Sequence, residues 1–331
     1  MHYRHGRTNE ILSFHDVPSS MLIVFQSVLP IFLLVLLGVG LKRAPIINAD
    51  FWDGLEQCSY WVMFPALLFS TMAKADFSNT ETLTVSFAAI VSVFVMSGGL
   101  LLAWPLLRNL RVGGPAYTSL FQTATRWNAF MALAIAAKTY GQQGLTMVGL
   151  VMAAIIIPLN FINVTVLLWF SGHDRNYKAI FYRVCTNPLI VSTALGIVVN
   201  VAGIPIYEPV MVAVDLLSQA SLSLGLITVG AGLRVMDALK PRPITLLAVF
   251  LKLIAFPIVA VGVGALCGIQ GSALVLLALS AAVPTAMNGY LLAKQLNGDA
   301  DMYAAAATLQ VVASFLTIPV VMTAVAYVAA G

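Results

Sequence analysis

The chain has 331 residues, of which 60% are hydrophobic and only 9% charged, with a formal net charge of +4. Its mean hydropathy is +0.94. Soluble domains carry roughly 25% charged residues, so a water-facing exterior is excluded and most of the surface must meet lipid. The basic residues sit in short connections rather than on a patch, which excludes a nucleic-acid binder.

Residues 1–20 are polar, hold His2, His5 and His15, and lack the apolar core of a signal peptide. They read either as a short tail or as residues ahead of a true start at Met21. A bilayer-spanning helix needs about 20 mostly apolar residues. Ten candidates follow in chain order: about 22–41, 53–73, 82–107, 115–137, 144–170, 184–203, 207–233, 243–266, 271–293 and 300–328. The longest connection, about 171–183, leaves no room for a separate soluble domain. Cys58, Cys185 and Cys267 show no metal-ligand spacing and read as buried free thiols.

Alternate connections differ in charge. Lys42, Arg43, Arg108, Arg111, Arg175, Lys178, Arg183, Arg234, Lys240, Arg242 and Lys294 fall on one side, and Arg4, Arg7, Lys74 and Lys138 on the other. The richer side is expected in the cytoplasm, which puts both termini outside the cell membrane.

Three patterns recur at a shift near 160. Pro30 and Gly38 return as Pro188 and Gly196; Asp53, Leu55, Gln57 and Ser59 return as Asp215, Leu217, Gln219 and Ser221; Thr125 and Asn128 return as Thr285 and Asn288. The fold class expected is therefore an all-α membrane protein of ten transmembrane helices in two repeats, residues 21–170 and 184–331, joined by a cytoplasmic linker at 171–183. Each repeat holds an odd number of spans, so the second is inverted. Inverted repeats build many secondary transporters, with the substrate near the midplane where the halves meet.

Segment 4 is the least comfortable in lipid. Arg126 lies near its middle, beside Gln122, Thr123, Thr125 and Asn128. A mid-membrane Arg costs about 2.5–3.5 kcal/mol on insertion scales, so this helix must face protein or a water-filled cavity. Segment 9 carries Pro284, Thr285, Asn288 and Gly289 at the matching depth. Pro284 removes a backbone donor. A break there is expected, and one in segment 4 follows only from the repeat. Two interrupted, crossed helices would bring two half-helix N-termini together, and such ends attract anions. The candidate binding residues are thus Thr125, Arg126, Asn128, Pro284, Thr285, Asn288 and Gly289, with Gln122 and Lys252 in support. Lys252 reads equally as a residue that snorkels to the interface. The alternative for Asn128 and Asn288 is hydrogen bonding between helices. Asp53, Glu56 and Asp215 read as solvated or capping groups, and Pro65, Pro158, Pro257 and Pro319 as helix kinks.

Several stretches resemble the auxin efflux carrier family: Leu29-Pro30 through Gly38, Phe64-Pro65 through Phe69, Arg126-Trp127-Asn128, Asn187-Pro188 through Ile190, and Val283-Pro284 through Tyr290. The family includes plant auxin exporters and bacterial carriers, some described as malonate or other dicarboxylate permeases. The resemblance implies crossed, broken helices 4 and 9, as in bile-acid symporters and sodium–proton antiporters. It also implies a scaffold of segments 1, 2, 6 and 7, a moving domain of segments 3–5 and 8–10, and a homodimer through the scaffold. The compact linker separates this chain from plant members with a long loop, and makes it look bacterial, with an inner-membrane location.

The expected function is a secondary transporter of a small organic anion, a mono- or dicarboxylate, working by alternating access. An anion leaving a negative interior gains about 2.3 kcal/mol per charge per 100 mV, so export needs no coupling ion. The alternative is a sodium- or proton-coupled organic-anion symporter. A membrane enzyme or receptor is disfavoured: there is no HExxH pattern, no signalling domain, and only His173 outside the tail. No metal or cofactor is expected.

Overall fold

The structure, a computed structural model, describes residues 17–44, 47–75, 80–171, 182, 186–287 and 289–330. Residues 1–16 of the expected tail, most of the expected linker, Cys185 and Asn288 lie outside the described residues, and the last four tail residues already belong to the first helix. Among the described residues fourteen α-helices follow one another and no strand occurs. They are α1 (Val17–Arg43), α2 (Ala49–Cys58), α3 (Phe64–Ala73), α4 (Thr80–Asn109), α5 (Gly114–Thr125), α6 (Ala129–Ser171) and α7 (Pro188–Val201). The second half holds α8 (Glu208–Ala231), α9 (Val235–Ala238), α10 (Pro243–Phe250), α11 (Phe256–Leu266), α12 (Gly271–Ala282), α13 (Gly289–Gln295) and α14 (Ala300–Ala330).

Six helical stretches among the described residues are long and apolar enough to cross a membrane: 24–43, 81–109, 114–170, 208–231, 243–266 and 300–329. The other apolar segments are built from shorter pieces. The stretch 114–170 contains the break between α5 and α6. Within it, α6 has 43 residues and would be about 65 Å long if straight, twice the ~30 Å hydrocarbon core. Gly141 solves this by adopting φ 59°, ψ −145°, a conformation open mainly to glycine. The exterior is strongly apolar, with Leu102 84% and Leu266 90% exposed. In water such a surface would drive aggregation, whereas in lipid it matches the solvent.

Two prolines do more than kink their helices. A proline cannot donate to the carbonyl four residues earlier, which leaves Trp61 unpaired by Pro65 and Leu253 unpaired by Pro257. In both places the chain winds wider, into the π-turns Ser59–Met63 and Leu251–Ala255. Cys58 and Cys267 are free thiols, but Cys58 is exposed and Cys267 half-buried, contrary to the expectation of burial. A weakly polar thiol is compatible with a surface turned toward lipid, so it needs no interior position.

The helices pack in two groups. In the first, α1 lies against α8, and α3 against α7 and α8. Small residues permit these approaches, as is usual between membrane helices. A Cβ on Gly38 would overlap the Ile227 carbonyl, and one on Gly230 would overlap the Val35 carbonyl. Gly196 of α7 sits equally close to the Phe69 carbonyl and the Met72 side chain of α3. In the second group α4 packs on α6, α5 on α10, and α12 on α11 and α14. Phe130, at the start of α6, bridges the groups: its ring fills the space left by Gly225 on α8 and lies 4.3 Å from the Phe64 ring centroid. Where the first group ends, Asp215 accepts from Lys74 at 2.6 Å and from Ser70 at 2.7 Å. Asp215 is therefore an ion-pair partner that joins α8 to α3, rather than a merely solvated group.

Candidate functional site

The α5 helix ends at Thr125 because Arg126 turns to extended backbone, φ −69° and ψ 159°. The Arg126 N–H still donates to the Gln122 carbonyl at 2.8 Å, closing the last turn. Three residues later α6 begins, and Asn128 acts as its N-cap: its side-chain oxygen accepts from the Met131 N–H at 3.2 Å. An N-cap satisfies one of the free donors at a helix start. The Asn128 amide oxygen thus serves its own helix instead of a neighbouring one.

The α12 helix ends at Ala282 for a different reason. Val283 precedes Pro284, and a residue before proline is pushed out of the helical region; Val283 accordingly has φ −65° and ψ 147°. The two breaks then touch. The Asn128 N–H donates to the Pro284 carbonyl at 2.7 Å, so an extended piece of one broken helix pairs with an extended piece of the other.

The groups freed at the second break are met by α14. The Thr285 N–H donates to Gln310 Oε1 at 2.9 Å, while Gln310 Nε2 donates to the Thr123 and Ala248 carbonyls, each at 3.1 Å. One fully buried amide therefore ties the break to α5 and α10. The Tyr303 hydroxyl donates to the Ala286 carbonyl at 2.6 Å and lies 3.0 Å from Thr285 Oγ1. Its only proton goes to Ala286, so the Thr285 hydroxyl is the donor between them. Gly289 makes room for this arrangement, since a Cβ there would overlap the Tyr303 hydroxyl. At the first break the support is lighter: Thr125 Oγ1 donates to the Phe121 carbonyl at 2.8 Å and lies 3.2 Å from Asn163 Oδ1 on α6.

Of the residues expected at the site, Thr125, Arg126, Asn128, Pro284, Thr285 and Gly289 are thus gathered around the two breaks, and Asn288 lies outside the described residues. Arg126 is 8% exposed and its Nε has no hydrogen-bond partner among the described residues. Gln122 is fully buried, with neither amide atom paired. Lys252 is fully buried inside the second π-turn, its Nζ unpaired and 4.5 Å from the Phe256 ring centroid. It does not snorkel. The expected meeting of two helix N-termini also changes. α13 has only seven residues, so the positive character of the crossing comes from the Arg126 side chain and the start of α6.

Gln310, Tyr303 and Asn163 were not anticipated from the sequence. For Gln310 the available signal was an amide within the mostly apolar stretch 303–322, since an amide bare in lipid is costly. In this conformation the crossing is closed, with Asn128 2% and Thr285 0% exposed. The adjoining cavity, bordered by Ser92, Thr125, Trp127, Phe256 and Ser280, is mostly apolar.

Residues 175–322 match the family model described as membrane transport protein. An "Uncharacterized transporter" of Methanothermobacter thermautotrophicus is 24% identical over 298 residues, covering 89% of this chain and 96% of the relative. The "Uncharacterized transporter YfdV" of Escherichia coli is 24% identical over 283 residues, covering 81% of this chain and 87% of the relative. These names state transport and no substrate. With the apolar helices of membrane-spanning length, these comparisons support a multi-pass membrane transporter, and they agree with the resemblance carried by the motifs quoted above.

Proposed function

We propose that this protein is a secondary carrier of a small organic anion, a carboxylate, which it holds where the two helix breaks meet and moves by alternating access. The observation that carries the reading is Arg126: a buried guanidinium with an unpaired Nε, set beside the contact between Asn128 and Pro284. Burying a cation is costly unless an anion or hydrogen bonds compensate it. Among the described residues, Arg126 has no ion pair with a carboxylate. A bound carboxylate would supply that partner, and a guanidinium matches its planar geometry.

The inverted-repeat reading draws support from the glycine contacts. Gly38 and Gly196 are related by the sequence repeat, and each brings its helix against one from the other half: α1 on α8, and α7 on α3. In this reading α1–α3, α7 and α8 form the scaffold, and α4–α6 with α10–α14 form the moving domain. Phe130 lies at their boundary, and a shift of 160 relates it to Tyr290. The Tyr290 ring lies under the Arg234 guanidinium, 4.2 Å from centroid to carbon, and its hydroxyl accepts from Arg234 at 2.7 Å. These aromatics would lie on opposite sides of the crossing and separate alternately from the scaffold. The distribution of Lys and Arg supports a cell-membrane orientation with both termini outside.

The test is exchange in proteoliposomes. Purified protein is reconstituted with unlabelled malonate, succinate or lactate inside, and the labelled counterpart is added outside. Uptake of at least one of these, with loss of that uptake in Arg126→Gln, is the expected result. No exchange of any of the three, or full exchange by Arg126→Gln, rejects the proposed site.

A further inference from the structure

We propose that Lys252 is the proton-coupling group of the carrier, taking up one proton when the anion binds and giving it up when the anion leaves. The inference rests on the anion site just described and adds a coupling ion to it.

The placement of Lys252 is the starting point. It lies in the π-turn Leu251–Ala255, where only Lys252 and Leu253 are buried. π-turns inside helices are frequent at functional sites. The Lys252 side chain is fully buried, and among the described residues its Nζ has no hydrogen-bond partner. The amine has only the Phe256 ring, 4.5 Å from its centroid. An aromatic face attracts a cation weakly and does not replace a counter-ion in a dry interior.

The neighbouring elements supply no carboxylate to the interior. The π-turn continues α10 and α11 and packs on α5, α12 and α14. The titratable or charged groups on those packed elements are Tyr117, Arg126, Asp301, Tyr303 and Tyr327. Tyr117 donates its hydroxyl to the Leu100 carbonyl, and Tyr303 donates to Ala286. Asp301 is exposed in the first turn of α14, and Tyr327 is exposed near its end. Arg126 is itself a cation and supplies no counter-charge. The other carboxylates within expected spans, Asp53, Glu56, Glu208 and Asp215, belong to α2 and α8, and Asp215 already pairs with Lys74. A dry interior without a counter-ion disfavours a lysine's ammonium form.

Lys252 and the crossing share one frame. Ala248, one helical turn before Lys252, has its carbonyl held by the same Gln310 amide that holds the Thr285 N–H. In the proposed coupling, the negative charge of an anion held at the crossing favours the ammonium form. The step balances simply: the neutral amine and a proton give the ammonium as the carboxylate binds, and on release both the proton and the anion depart. No bond to carbon changes. A monocarboxylate would cross without net charge, and a pH gradient would drive its accumulation.

The test uses proteoliposomes with an imposed pH gradient, acid outside, a trapped pH-sensitive dye, and labelled malonate, succinate or lactate. The wild-type protein should concentrate a monocarboxylate about tenfold per pH unit at a stoichiometry of one proton, since a tenfold ratio corresponds to one pH unit of driving force. The dye should acidify as label enters. Lys252→Met fixes the neutral form and Lys252→Arg a permanent cation. Each should still exchange label, at a reduced rate, and lose gradient-driven accumulation. Accumulation at the wild-type level in either variant would overturn the assignment, as would wild-type uptake without dye response. Loss of exchange in both variants, with protein that remains monodisperse, would make Lys252 an anion contact and also overturn it. If the wild-type protein exchanges none of the three anions, the site reading fails first and the coupling falls with it. A wild-type dye signal that stays flat during uptake overturns the assignment even if neither variant folds.

Discussion

The two helix breaks perform the same geometric task by different means. The first has no proline: α5 stops where Arg126 turns to extended backbone, and Asn128 immediately caps α6. The second is forced by Pro284 and then held from outside by Gln310 and Tyr303 on α14. Charge resides at the first break and support at the second. A carrier that must bind and release needs a cation with an unpaired group on one strand of the crossing, and a fixed strand to set it against. The difference teaches that the sequence repeat need not make the two halves chemically equal.

The largest expected effect comes from removing the support. Gln310→Leu leaves the Thr285 N–H and the Thr123 and Ala248 carbonyls without their side-chain partner. An orphaned buried polar group costs about 1–3 kcal/mol, so the loss should be several-fold larger than for an ordinary hydrogen bond. Thermal unfolding in detergent should fall sharply, and exchange should fall with it. An unchanged melting temperature would mean that the second break holds itself.

Arg126→Gln separates binding from support. Losing a charged hydrogen bond costs about 1.5–3 kcal/mol, which corresponds to a fall in anion exchange of roughly 10- to 100-fold. Stability should move the other way or stay level, because an uncompensated buried charge is removed. Lower exchange with an equal or higher melting temperature would mark a binding residue. A fall in both would make Arg126 part of the support and erase the contrast between the breaks.

Much of this contrast was legible in the sequence, but unevenly. Pro284 announces the second break because the residue before a proline avoids the helical region. The first break could be read only through the recurrence of Thr125 and Asn128 as Thr285 and Asn288. The partners on α14 escaped because they have no echo: a shift of 160 sets Leu150 against Gln310 and Gln143 against Tyr303. Which carbonyl a lone interior amide meets depends on how helices cross, and helical periodicity does not contain that. Pro65 and Pro257 announced irregular helices, but the choice of a π-turn over a kink depends on packing. Lys252 was ambiguous for the same reason, since depth along a helix does not state which face turns inward.

Gly289→Ala sharpens the comparison at the second break with a single methyl group. That methyl would overlap the Tyr303 hydroxyl, which is fixed by its bond to the Ala286 carbonyl. Overpacking of this kind costs about 1–3 kcal/mol. Against a Tyr303→Ala background Gly289→Ala should cost less, because both the obstructing oxygen and the ring carbons beside it are gone. An undiminished cost in that background would place the demand for glycine in the backbone rather than in the tyrosine.

Thr125→Val should have the smallest effect, because the first break depends least on side-chain support. The Thr125 hydroxyl has one proton and two acceptors, Phe121 O at 2.8 Å and Asn163 Oδ1 at 3.2 Å. The shorter contact lies within its own helix, so the bond that reaches α6 is the weaker share of a divided donor. Asn163 keeps its own bond to the Leu159 carbonyl at 2.8 Å. A net loss of about 0.5–1.5 kcal/mol is expected, visible as a small drop in melting temperature with exchange largely kept. If Thr125→Val instead destabilises as much as Gln310→Leu, the first break is braced as heavily as the second. The Asn128 cap and the backbone contact to Pro284 would then be insufficient to hold Arg126 in place.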